Sequence, residues 1–303
     1  MKTNLKQYSV LTIGTFDGVH VGHQKIIQRL IEVGNKKQLT PTILTFFPHP
    51  RMVLQKDADI KLINTLNEKE QILKKFGLKN LVVKKFTQDF SRLTAQEFVE
   101  TILVKQLKAK HIIIGYDHHF GRNRSANIDD LKTYGEHYNF EVEEITSQDI
   151  NDVAVSSTKI RTALLNGNIT TANSYLGYPF VISGIVETGK GLGKTINFPT
   201  ANIAISEHYK LIPKQGVYVI KSTINKETVY GMMNIGTNPT VNGTSQTIEV
   251  HFFNFDTLLY GELITVELLE RLREEEKFES VNMLKKQLLK DKKNALDFIN
   301  NYA

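Results

Sequence analysis

Two periodicities, one in each half of the chain, predict an α/β protein: a domain built on a parallel sheet, followed by an antiparallel β-barrel with a C-terminal helix. Up to about residue 150, β-rich apolar runs alternate with stretches whose apolar residues recur every three or four positions, the form taken by a parallel sheet with crossover helices. From Tyr178 onward, period-two runs follow one another with only turn residues between them, the form of a closed antiparallel sheet. A length of 303 residues agrees with two cores, at roughly 100 to 200 residues per domain. The Tyr178-Pro179 pair marks the expected junction, which divides the chain into 1–177 and 178–303.

SVLTIGTF (Ser9 to Phe16) reads as the first strand, and Gln24 to Val33 then places Ile26, Ile27, Leu30 and Ile31 on one helical face. PTILTFF (Pro41 to Phe47) completes the first βαβ unit. The pattern continues with a helix near Asn67 to Phe76, a strand at Leu81 to Val83, a helix at Thr94 to Leu107 and a strand at His111 to Tyr116. A helix at Ile128 to Tyr138 and a strand at Phe140 to Ile145 close the sheet. Two short helices are expected next, Ser157 to Asn166, stopped by Gly167, and Thr171 to Tyr175. The barrel strands are expected at Phe180 to Glu187, Thr200 to Ile205, Gly216 to Ile224, Glu227 to Ile235, Thr247 to Asn254 and Leu263 to Leu268. In the last helix, Val281, Leu284, Leu288, Ala295 and Ile299 form one apolar stripe, which is expected to pack.

Composition narrows the function classes. The hydrophobic fraction of 41% and charged fraction of 23% are those of a globular chain. No apolar run reaches the roughly 20 residues of a bilayer span, and glycines follow the N-terminal charges before any signal-peptide core can form. A soluble, cytoplasmic protein without a membrane partner is therefore expected. The absence of cysteine removes disulfides, thiolate metal sites and thiol catalysis. The net charge of +6 suits an anionic partner, nucleotide or nucleic acid, and equally a lysine-rich solvated surface. No nucleic-acid module is recognisable, so no nucleic-acid partner is expected.

The first strand runs into Gly14-Thr15-Phe16-Asp17-Gly18-Val19-His20-Val21-Gly22-His23. A glycine-rich turn that delivers a helix N-terminus accepts anions, because the backbone can approach a phosphate and the first helical amides lack partners. At the carboxyl end of strand one, where open α/β sheets bind ligands, Gly14, Phe16, Asp17 and Gly22 are candidate ATP ligands. His20 and His23 are candidate catalytic residues that stabilise charge on a phosphate under attack. The alternative is an ordinary turn in which the two histidines cap and pack, and nothing nearby completes a zinc set. His49 stands between Pro48 and Pro50, in a loop that fixes its direction. Ser156, Thr158 and Arg161 open a helix with hydroxyls and a cation suited to phosphates.

In the second half, Gly189-Lys190-Gly191-Leu192-Gly193-Lys194-Thr195 is not a Walker A loop, since Thr188 occupies the first glycine position and Pro199 interrupts the helix that should follow. Thr200 and Asn202 share one face of an extended strand and can reach a hard cation such as Mg2+ together. Glu249 projects from the face opposite Ile248, Val250 and Phe252, placed to act as general base toward a hydroxyl or to form a surface salt bridge.

Taken in order, G-T-F-D-G-V-H-V-G-H, T-F-F-P-H-P, G-Y-D-H-H-F-G and S-S-T-K-I-R resemble the nucleotidylyltransferase module of prokaryotic bifunctional riboflavin kinase/FAD synthetases. G-K-G-L-G-K-T-I-N-F-P-T-A-N, M-N-I-G-T-N-P-T-V, E-V-H-F-F-N-F and L-R-E-E-E-K-F resemble the kinase module of the same family. The resemblance implies a Rossmann-like first domain that transfers AMP from ATP to FMN, giving FAD and pyrophosphate, and a barrel that phosphorylates riboflavin to FMN. Its expected ligands are small molecules: ATP, riboflavin, FMN and FAD, with Mg2+ as cofactor. By the resemblance, His20 and His23 contact ATP phosphates, Ser156, Thr158 and Arg161 close on the triphosphate, and His49 and Asp117 line the nucleotide and flavin side. Gly189, Gly191 and Lys194 cover the kinase phosphates, Thr200 and Asn202 bind the Mg-nucleotide, Glu249 activates the ribityl hydroxyl, and Arg271 borders the flavin. The chain departs from the family pattern at His118, Ala126, Lys194 and Asn197, where phenylalanine, glycine, arginine and glycine are usual. Three rivals are a chain with one active half, a flavin- or nucleotide-sensing protein that binds without turnover, and a nucleic-acid-binding protein suggested by the net charge of +6.

Overall fold

A computed structural model describes residues 7–55, 59–115, 118–145, 155–189, 192–240 and 243–302. Packing divides the chain into two units, Met1–Leu62 with Leu66–Ser156, and Ile63–Thr65 with Ser157–Ala303.

The first unit is a five-stranded sheet in the order β3-β2-β1-β4-β5, with β1 at Ser9–Ile13, β2 at Thr40–Phe47, β3 at Asn80–Lys85, β4 at Ala109–Gly115 and β5 at Glu141–Ile145. Every neighbouring pair is parallel. All five β1 residues are buried, which is why this strand reads as a continuous apolar run without alternation. The order reverses between β1 and β4, so a crevice opens at their carboxyl ends. Helix α1, Val21–Lys37, turns Ile26, Ile27, Leu30 and Val33 into the core; Ile31 lies outside the buried set. The expected helix at Thr94 to Leu107 opens with a capping box between Thr94 and Glu97, makes one α turn at Ala95–Glu97 and continues as a π-helix over Phe98–Gln106. Phe98, Val99, Ile102, Leu103 and Leu107 still face the core, so the burial pattern survives the wider turn.

The second unit contains the helices Ser157–Leu165 and Ile169–Leu176. It also holds a closed barrel in the order β10-β7-β6-β11-β8-β9, with β6 at Phe180–Glu187, β7 at Ala201–Ala204, β8 at Gly216–Ile224, β9 at Glu227–Thr240, β10 at Gly243–Phe252 and β11 at Leu263–Arg273. Asn173 bonds both Leu268 O (2.8 Å) and the Phe180 amide (2.7 Å), which ties the second helix to the barrel. The terminal helix, Val281–Tyr302, covers part of the outer face, where Leu284, Leu288, Ala295 and Ile299 meet Val217, Val219, Met232 and Leu269. Val281, expected in that stripe, is 50% exposed, because it is the first residue of the helix and precedes the contact. Arg273 on β11 anchors the same helix through three bonds of 2.8–3.0 Å to the buried Asp291.

Candidate active sites

In the first unit, the turn after β1 has an unusual backbone. Phe16 and Val19 adopt φ of 46° and 37° beside Gly18 at 85°, and a β-branched residue at positive φ is strained. Phe16 and Val19 are both buried, and Thr15 O is held by Lys69 Nζ at 2.7 Å and Thr45 Oγ1 at 3.2 Å. A Cβ on Gly14 would lie 2.9 Å from the Phe16 ring. The surrounding core therefore imposes the shape of the turn.

His20 caps α1, its Nδ1 accepting from the His23 amide at 3.4 Å. That bond leaves the ring proton on Nε2, available to donate. The two imidazoles stack with centroids 3.7 Å apart, and Phe16 covers His23 at 4.8 Å. Burial lowers His20 to a pKa of about 4, against the opposing pull of Asp17. Burial takes His23 well below its ordinary value, reinforced by the His20 and Lys69 charges. Both rings are thus neutral donors at pH 7. His23 Nδ1 is buried and makes no hydrogen bond. Capping and ligand-binding are compatible here, since His20 caps with one nitrogen and keeps the other.

His49 leaves the carboxyl end of β2, the strand beside β1, and caps the short helix Pro50–Leu54 through Nδ1, 3.2 Å from the Arg51 amide. The structure therefore brings His49 to the same edge of the sheet as His20 and His23. Asp117 lies outside the described residues. Ser156, Thr158 and Arg161 stand together at the start of the helix Ser157–Leu165. Lys69 was not singled out in the sequence, although it falls on the Ile72–Leu73 face of its helix, where a lysine is out of place.

In the barrel, Glu249 lies directly across from Asn202 on β7 and Asn234 on β9, so the three side chains share the outer face. Thr200 Oγ1 donates to Glu249 Oε2 at 3.4 Å. Gly189 lies so close to Asn202 that a Cβ there would come within 2.0 Å of its Nδ2. Gly191 is outside the described residues, and Lys194 is described in its backbone alone, within the single turn Leu192–Thr195. Asn197, at φ 63°, occupies a left-handed position that asparagine tolerates almost as glycine does. His251 is buried and holds Pro199 O at 2.8 Å, fixing the segment that carries Thr200 into β7. Neither Asn234 nor His251 was assigned a role from sequence, although Asn234 interrupts an apolar run between Met233 and Ile235. A cavity of about 390 Å³ meets Thr200 but is lined from the other side of β10, by Val250 and Phe252 with Phe255, Leu259 and Tyr260 among others.

The structure does not bring Arg271 to Glu249. Arg271 is opposite Tyr218, which points into the barrel, and its Nη2 donates to Gln215 O at 2.6 Å. Among the described residues, no three His, Cys, Asp or Glu side chains could hold a metal. The hydroxyl, amide oxygen and carboxylate of Thr200, Asn202 and Glu249 nevertheless suit a hard cation that keeps water and phosphate as its other ligands.

The FAD synthetase family matches residues 2–159 and the riboflavin kinase family residues 176–299. A bifunctional riboflavin kinase/FMN adenylyltransferase of Bacillus subtilis is 38% identical over 301 residues, covering 97% of this chain and 93% of the relative. The chain belongs to the bifunctional riboflavin kinase/FMN adenylyltransferase family. This family member carries its FAD synthetase domain first and its riboflavin kinase domain second. The Escherichia coli K12 enzyme of the same name is also 38% identical, over 95% of this chain and 92% of its own. A solved structure described as a macrolide-efflux protein of Streptococcus pneumoniae superimposes with a TM-score of 0.86 at 33% identity, over 97% of this chain and 96% of that one. Among the described residues of this family member, no helix is long and apolar enough to cross a membrane.

Proposed function

We propose that the two reactions of this bifunctional riboflavin kinase and FMN adenylyltransferase take place at the two clusters described above. In the adenylylation reaction an FMN phosphate oxygen attacks the α-phosphorus of ATP and pyrophosphate leaves. The Gly14–Gly22 turn offers backbone amides to the triphosphate, with Phe16 and Asp17 shaping it. His20 and His23, held neutral by burial, each donate an N–H toward charge that builds on phosphate oxygens. Ser156, Thr158 and Arg161 are further phosphate ligands, and His49 faces the flavin. The buried, unbonded His23 Nδ1 beside a strained turn is the observation that carries this reading.

In the kinase reaction the primary ribityl hydroxyl attacks the γ-phosphorus of a second ATP, the bond to the bridging oxygen breaks and ADP leaves, and Glu249 takes the hydroxyl proton. Gly189, Gly191 and Lys194 cover the phosphates, and the cavity beside Thr200 takes the nucleotide. Mg2+, held through Thr200, Asn202 and the phosphates, would neutralise polyphosphate charge when bound. The Glu249–Asn202–Asn234 row with Thr200 in hydrogen-bond reach supports this assignment.

Paired variants test the division. His23→Ala should lower FAD formation from FMN by about 10²-fold and leave FMN formation from riboflavin intact. Glu249→Gln should do the reverse, by about 10²-fold. Equal loss of both activities in either folded variant would contradict the assignment, and bound flavin without any turnover would favour a sensor.

A further inference from the structure

We propose that Lys69 is a positioning residue for adenylylation, which holds the turn before α1 in shape through Thr15 O and sets a fixed positive charge against the His20–His23 pair. The proposal rests on the reading of that turn as the adenylylation site, and every residue it uses belongs to the first unit.

Lys69 lies on the buried face of the helix Leu66–Lys75, together with Ile72 and Leu73. It is 4% exposed, where an apolar side chain would pack without losing hydration, and a buried ammonium is costly unless it is bonded and its charge is balanced. The turn supplies a bond and a balancing charge. The ammonium donates to Thr15 O at 2.7 Å, and Asp17, itself 1% exposed, attracts it. Thr45 Oγ1 donates to the same oxygen at 3.2 Å, so both lone pairs of this carbonyl are used. One donor comes from a helix and the other from β2. Thr15 immediately precedes Phe16, at φ 46°, and Val19 follows at 37°. Strained backbone of this kind persists only where its surroundings impose it, and a carbonyl fixed from two sides just upstream does so. His20 follows Val19 directly and caps α1, so the path of the turn sets the direction of both imidazoles.

The same ammonium faces the histidines. Burial holds His23 well below its ordinary pKa, and the charges of His20 and Lys69 push it the same way. Asp17 acts in the opposite sense on His20, where burial outweighs it. The charges set against the pair are thus Asp17 from the turn and Lys69 from the neighbouring helix. By opposing a proton on His23 and offsetting Asp17, the cation keeps the His20 Nδ1 lone pair available to the His23 amide, which preserves the cap that orients both rings. Lys69 carries none of the reacting atoms and acts through Thr15 and the two histidines.

The test compares variants of the full chain in separate assays of FAD formation from FMN and ATP and of FMN formation from riboflavin and ATP. Lys69→Met should lower kcat for FAD formation about tenfold or more, the scale expected when catalytic groups shift slightly. The KM for FMN should stay within about twofold, and FMN formation should continue at the wild-type rate. Histidine NMR should show the pair titrating at a higher pH in this variant than in the wild type, because the cation is gone and Asp17 is unbalanced. Lys69→Arg keeps a charge and a donor, and should restore the wild-type titration and most of the kcat. Thr45→Val removes the second donor to Thr15 O and leaves the charge in place. It should lower kcat for FAD formation about two- to fivefold with the titration unmoved, and it carries the test if Lys69→Met does not fold. The proposal is overturned by an unchanged kcat in whichever of these two variants carries the test, by equal loss of both activities, or by a histidine titration that Lys69→Met leaves in place. His23→Ala is the reference. If it lowers FAD formation and Lys69→Met does not, the role of Lys69 fails alone; if it too has no effect, the site reading fails and the role of Lys69 with it.

Discussion

His20 illustrates how burial selects a protonation state. Its pKa of about 4 lies below the ordinary 6.5 because desolvation outweighs the attraction of Asp17. Between those two pH values the unfolded chain binds a proton that the folded one refuses, so stability is complete above pH 6.5 and is lost as pH falls toward 4. The shift corresponds to about 3 kcal/mol. Denaturant titrations of the wild type and of His20→Asn, which keeps a helix cap, should show the wild type losing more stability across that range. Over pH 6.5 to 8 neither histidine changes charge, so neither should contribute a step to the rate of FAD formation. The pair was legible in sequence from its spacing in a glycine-rich turn. Its neutrality was not, because that depends on Phe16 and Lys69 closing in on His23, and their approach follows from a backbone turn and a helix placement the sequence does not display.

At the scale of elements, both sites depend on turns that admit no extra atom. In the barrel, Gly193 O accepts from the amides of Ile196 and Phe198 at 3.2 and 2.8 Å. A Cβ on Gly193 would lie 2.1 Å from Phe198 O, a backbone atom that cannot step aside alone. Gly193→Ala should therefore displace the strand leading to Thr200 and lower FMN formation about tenfold or more, while FAD formation from supplied FMN continues at the wild-type rate; the same paired assays measure it. Strand and helix existence was read well where a single period dominates, as in α1, or where a β-rich run is buried throughout, as in β1. The single turns Pro50–Leu54, Gln88–Ser91 and Leu192–Thr195 were not expected, since four or five residues hold too few apolar positions to set a period. The reach of β9 to Thr240 and of β10 back to Gly243 was also missed, because the ends of that hairpin carry polar residues that resemble a loop.

For the whole molecule, two folds on one chain imply two reactions that meet at FMN. Incubated with riboflavin, ATP and Mg2+, the purified chain should accumulate FMN and then convert it to FAD, resolved by chromatography over time. Removal of Mg2+ with EDTA should stop both steps and its return restore them, because each handles a polyphosphate. Persistence of either step without a divalent cation would remove the proposed cation from that site.

Local order along the chain was enough to establish the fold class and the family resemblance and to nominate site residues in both halves, because periodicity and spaced motifs are written in consecutive residues. Register decided that Glu249, Asn202 and Asn234 face one another and that Arg271 points elsewhere, since pairing across a barrel joins strands far apart in sequence. Tertiary packing alone revealed what Lys69 and His251 hold, since their carbonyl partners lie 54 and 52 residues away. A main-chain carbonyl is the same in every residue, so no sequence pattern can announce which one a buried side chain will hold.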